Sequence, residues 1–125
     1  MSRLLAWETP FMSRLFPSVW VSMEAHLGKM SVFVEDEKRW RVWFESVVAL
    51  KICDESFDRN ARFHVERDRQ RLCSYIWEDS SWRQEFQTEL AEMLEEKNLC
   101  HYVLLGGDHN VEVLALGAVQ IEPAT

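Results

Sequence analysis

The chain is sparing with the residues that punctuate or staple a fold. Its 125 residues include four glycines, three prolines and three cysteines. So little glycine and proline excludes a collagen-like or low-complexity chain. Cys53, Cys73 and Cys100 are odd in number and widely spaced, which gives no disulfide framework and no zinc-ligand spacing. No apolar run approaches the ~18–20 residues of a membrane-spanning helix. Near the start, Glu8 interrupts Leu4-Leu5-Ala6-Trp7, so the ~7–15-residue apolar core of a secretory leader is missing. Basic residues are in the minority: 14 Lys and Arg stand against 21 Asp and Glu, a net charge of −7. That balance disfavours nucleic acid and anionic membrane as partners. Reduced thiols without a leader point to a cytoplasmic protein. G-x-S-x-G, H-E-x-x-H, C-x-x-C, G-x-G-x-x-G and P-loop signatures are all lacking.

Apolar residues make up 47% of the chain, with six Trp, two Tyr and seven Phe among them. That is enough to build one core, and we read 1–125 as a single domain. Thr9-Pro10 reads as an N-cap followed by proline at the first helical position, so 1–17 is expected to form an arm or short helix. Alternating apolar residues then mark strands over 19–26, 31–35 and 40–52, an antiparallel three-strand meander. In the last of these, Val42, Phe44, Val48, Leu50 and Ile52 share one face. Trp43, Glu45, Val47, Ala49 and Lys51 share the other. Residues 54–72 are polar and read as an irregular excursion. Cys73 to Trp77 resumes a strand-like composition.

Ser81 with Gln84 fits a capping box. Behind it, Trp82, Phe86, Leu90, Met93 and Leu94 recur at helical spacing, which predicts one long helix with these residues buried. Two apolar runs, 99–105 and 111–116, flank Gly106 to Asn110 as a hairpin. Val119-Gln120-Ile121 suits a short edge strand. The expected fold class is therefore α+β, in β-β-β-α-β-β order. A single twisted antiparallel sheet of five to six strands carries one long helix on one face and a short N-terminal helix elsewhere.

Two surfaces offer candidate binding residues. Glu85, Glu89, Glu92 and Glu96 are spaced as one helical stripe, extended at its start by Glu78 and Asp79. Like charges at that spacing repel, so helix stability does not explain them. A solvated face and a docking strip for a basic protein both fit. Trp43 faces away from the apolar side of its strand, so either both sheet faces are covered or an aromatic patch is exposed. A homodimer through an uncovered sheet face is a further partner reading.

Polar groups for a small enzyme or a ligand- or metal-binding site come from Asp54, Glu55, His64 and His101, with Asp108 and His109 in the turn. Imidazole and carboxylate suit zinc or iron. No pair has the spacing that presets two ligands on a helix, and His101 also suits a hydrogen-bonded core histidine. Metal or cofactor binding is therefore not expected. Gly106-Gly107-Asp108 is similar to the start of the signature loop of diguanylate cyclases, but His109-Asn110 stand where that family has Glu-Phe. A turn accounts for these residues.

Three segments together carry a wider resemblance. They are Phe44-Glu45-Ser46-Val47-Val48-Ala49 running into Asp54-Glu55, then Tyr75 to Trp82, then His101-Tyr102-Val103 with Val111 to Ala115. This pattern resembles small bacterial α+β proteins of unknown function, some thought to be immunity partners of secreted toxins. The resemblance implies a non-enzymatic interaction protein, an immunity-type inhibitor, and transfers no catalytic residue.

Overall fold

In the computed structural model, residues 3–14, 17–23, 28–54 and 72–124 are described. Seven strands form one antiparallel sheet: β1 Arg3–Ala6, β2 Ser18–Met23, β3 Met30–Glu35, β4 Arg39–Asp54, β5 Ser74–Glu78, β6 Cys100–Leu105 and β7 His109–Ala124. Their spatial order is β1-β5-β6-β7-β4-β3-β2. The described helices are short, α1 Ser81–Glu89 and α2 Ala91–Leu94.

The expected α+β order with one long helix is thus corrected. The molecule is mostly antiparallel sheet, and the predicted helix is interrupted at Leu90, whose φ of −105° and ψ of 17° are not helical. That break turns the following residues, so Leu94 is buried while Met93 is 80% exposed. Nor is there a helix over 9–14. Met12 N–H donates to Thr9 C=O and Arg14 N–H to Phe11 C=O, the bonding of tight turns. Strand β1 lay hidden in the arm, and only its pairing with β5 makes it a strand. The tail is not an edge either: 109–124 run as one strand in the middle of the sheet.

Strands β4 and β7, 16 residues each, pair along their whole lengths. The register slips between Phe44 and Ser46 and again between Val47 and Ala49. Extra residues bend a strand and change which side chains face which way. At the first slip the extra residue is on β7, where Gly117 and Ala118 oppose Glu45, and at the second it is Val48 on β4. Across these slips Val47 and Leu50 both pack against the core. Simple alternation had put Val47 outside because a bulge cannot be seen in a period-two pattern. On β7 the bend falls at Gly117, at φ +78°. The Glu45 carboxylate accepts the Ala118 N–H at 3.2 Å across this corner.

The corner folds the sheet over on itself. One half contains β2, β3, the first part of β4 and the end of β7. The other contains β1, β5, β6, the start of β7 and the end of β4. Val19, Met30, Val32, Val34, Val42 and Phe44 from the first half form one core with Leu104, Val111, Val113 and Ala115 from the second. The 7–14 segment helps fill it: Phe11 is buried, and Trp7 stacks obliquely on Tyr102 at 4.8 Å. At one end the β6–β7 turn reaches β2. Gly107 N–H donates to Pro17 C=O at 2.8 Å, and the Asp108 carboxylate accepts Val19 N–H at 3.4 Å.

Gly106 permits this approach. A Cβ there would lie 2.5 Å from the His109 carbonyl and 2.9 Å from the Pro17 carbonyl, both main-chain atoms that cannot swing aside. Gly106→Ala should therefore destabilise the fold by about 1–3 kcal/mol, in the range of overpacking substitutions. Urea denaturation checks this, and the amide resonances of Val19 and Gly107 should shift together in the variant.

Candidate functional site

The outer face of the second half-sheet carries a buried polar node. His101 lies opposite Leu114, and Glu112 lies opposite Val103, so the two are diagonal neighbours on adjacent strands. His101 Nε2 is 2.8 Å from Glu112 Oε1, and His101 Nδ1 is 2.6 Å from Ser80 Oγ. Ser80 is the N-cap of α1, and its oxygen also accepts the Arg83 N–H at 3.2 Å. One proton arrangement satisfies every group. Nε2–H donates to the carboxylate, the Ser80 hydroxyl donates to Nδ1, and the serine oxygen accepts from the helix. Trp77 stacks on the imidazole at 5.3 Å, and Trp82 meets it edge-on at 5.1 Å. Lys51 Nζ sits 4.5 Å above the Trp82 ring.

Serine, histidine and carboxylate in this order form the activating relay of many hydrolases. Here Ser80, His101 and Glu112 are 3%, 1% and 4% exposed. The serine oxygen is also occupied by the helix cap. The geometry suits fastening α1 to the sheet rather than attacking a substrate. Arg83 Nε donating to Leu99 C=O, and Gln87 bonded to both Lys97 C=O and Leu99 N–H, fasten the same helix from its other side. Sequence reading singled out His101 but missed Ser80, because the capping pattern one residue later matched equally well. It also missed Glu112, although a lone carboxylate inside Val111–Leu116 was the available signal.

The other polar candidates are not brought to this node. Asp54 lies opposite His109, five residues along β7 from Leu114, or ~17 Å at strand spacing. Glu55 and His64 lie outside the described residues, as does most of the expected 54–72 excursion. Asp108 and His109 are exposed and 3.6 Å apart in the turn. Among the described residues, no three His, Cys, Asp or Glu side chains are grouped to hold a metal ion. No described helix is long and apolar enough to cross a membrane. Cys73 is buried and its thiol faces the Phe11 carbonyl at 3.1 Å. Burial pushes that thiol up from 9.0 to about 12, far from a nucleophile's range.

The acidic candidates all reach solvent. Glu85 and Glu89 project from α1, Glu92 from α2, and Glu96 follows the helix with a φ of 73°. The stripe is therefore a stepped surface rather than one helical face. Glu78 pairs with Arg3 at 3.4 Å and Asp79 with Arg83 at 3.6 Å. Among the described residues, Glu85, Glu89, Glu92 and Glu96 have no ion pair. Met93 stands exposed among them. Trp43 is half-buried on the outer side of the first half-sheet, between Ser31 and Gln120. The exposed tryptophan is instead Trp20, 37% accessible, stacked on Phe33 and capped by Arg39. Comparison with protein-family models, curated proteins and solved structures finds no significant match to this chain.

The polar node has a measurable signature. His101→Phe keeps an aromatic ring but strands a buried carboxylate, and should cost about 3–5 kcal/mol. Adding Glu112→Leu should recover most of it, since the stranded carboxylate is removed and only the Ser80 hydroxyl has lost its acceptor. A denaturant-based double-mutant cycle measures both values; a His101→Phe cost under ~1 kcal/mol would deny the node its structural role.

Proposed function

We propose that this protein is a non-enzymatic interaction module, in the manner of an immunity-type inhibitor, that docks a basic protein on its acidic helical surface. The observation that carries this reading is Met93, 80% exposed beside the unpaired Glu89, Glu92 and Glu96. An exposed, flexible thioether is a good anchor for an apolar pocket. A rim of carboxylates selects a partner whose pocket is bordered by Lys or Arg and speeds the encounter. Residues 78–98 hold seven acidic and two basic side chains, so the local charge is −5. Glu78 and Asp79, held by Arg3 and Arg83, extend the rim. Trp43 lies on the first half-sheet, apart from these helices, and the docking surface does not require it.

An affinity capture from the source organism's lysate tests this. The wild-type chain should retain one stoichiometric partner of high isoelectric point at low salt and release it near ~1 M salt, where the Debye length is ~3 Å. Replacing Glu85, Glu89, Glu92 and Glu96 by Lys, with Met93→Ala, should abolish capture while the circular dichroism spectrum is unchanged. Capture that survives these substitutions would contradict the reading.

A further inference from the structure

The first half-sheet ends on β2, an edge strand whose sequence Ser18-Val19-Trp20-Val21-Ser22-Met23 contains no charge, no proline and no bulge. Soluble proteins ordinarily guard such an edge with charged residues, proline or a bulge, because its open main chain pairs with other strands. The opposite edge follows that rule: β1 has four residues and begins with Arg3. Among the described residues, only the start of β2 is guarded. Gly107 bonds Pro17 C=O, and Asp108 takes Val19 N–H from the side away from β3.

Those two bonds fix the direction of the rest. Main-chain groups alternate sides along a strand. Since Pro17 and Val19 face outward, so do Val21 and Met23, while Trp20 and Ser22 bond to β3. Val21 N–H and C=O therefore point out of the sheet with no partner among the described residues. Beside them Trp20 is 37% exposed and Ser22 is exposed on the outer face.

We propose that this edge is an interface between two copies of the chain, joined antiparallel through the Val21–Met23 stretch of β2. An uncharged strand offers no handle for a charged partner, whereas it is complementary to itself. A two-fold axis perpendicular to the sheet places outward N–H groups against outward C=O groups in both directions. It also keeps Val19 and Val21 of both copies on the core side and Trp20 and Ser22 on the outer side. The two first half-sheets become one continuous sheet, and each Trp20 is shielded beside the other copy's strand. The acidic helices lie on the second half-sheet, so dimerisation leaves them accessible and stands independently of the function proposed for them.

Sedimentation across a concentration series tests the proposal. The wild-type chain should reach twice its 14.8 kDa mass. Each copy carries −7, so added salt should strengthen the dimer, opposite to its effect on an acidic docking surface. Ser22→Lys sets like charges face to face at the axis without touching the core, and should weaken the dimer about tenfold or more. Val21→Pro removes the outward donor at a position an edge strand tolerates, with the same outcome. In the dimer, the Val21 amide should exchange with solvent more slowly than in the Ser22→Lys monomer. A chain that stays at single-chain mass up to about 1 mM overturns the proposal, as does a dimer that Ser22→Lys leaves intact.

Discussion

Everything in this molecule hangs on the pairing of β4 with β7. Each contributes 16 residues, and each belongs to both halves of the sheet. Without the bend between Phe44 and Ala49, the two halves would lie flat, and their apolar faces would point into water. With it, Phe44 comes within 5.4 Å of Tyr102, and valines from both halves enclose one core. The same burial pushes the Tyr102 hydroxyl up to about 12, with Cys100 adding to the effect. The bend also leaves the outer face of the second half available to the described helices, which do not reach the outer face of the first half.

That division explains where function can reside. The second half-sheet spends its outer face on fastening a helix through Ser80, His101 and Glu112. A buried polar cluster of this kind is specific: it defines where α1 starts and how it lies, which an apolar contact alone would leave looser. The helix then presents glutamates and Met93 outward. The first half-sheet keeps Trp20, Phe33 and Trp43 on its outer side, arranged around Arg39 and Arg41, which pair with Glu35 and Glu122. One face is strongly acidic and the other is aromatic with balanced charge. They suit different kinds of contact.

Much of the sheet was legible from residue alternation. The three-strand meander lies where Val19, Val32, Val34, Val42 and Phe44 place it, and the β6–β7 hairpin turns at Gly106-Gly107. Three features were not legible, each for a physical reason. Bulges at Gly117-Ala118 on β7 and at Val48 on β4 shift the pairing by a residue, and a period-two pattern does not register them. β1 is four residues long, and its strand character comes from a partner 69 to 75 residues away. The helix was overextended because Met93 and Leu94 both fit an apolar stripe, and only the turn at Leu90 decides which is buried. At the site, His101 was visible as a lone polar residue in an apolar strand. Its partners were not, because strand register brings Glu112 to it and a helix cap brings Ser80.

Native-state hydrogen exchange measures the dependence on β4 and β7 most directly. If their ladder joins the two halves into one cooperative unit, the amides of Val42, Phe44, Val111, Val113 and Ile121 that exchange slowest should converge on a single opening free energy as denaturant is added. Two separate limits, with Ile121 and Val42 opening well below Val111 and Val113, would contradict that account.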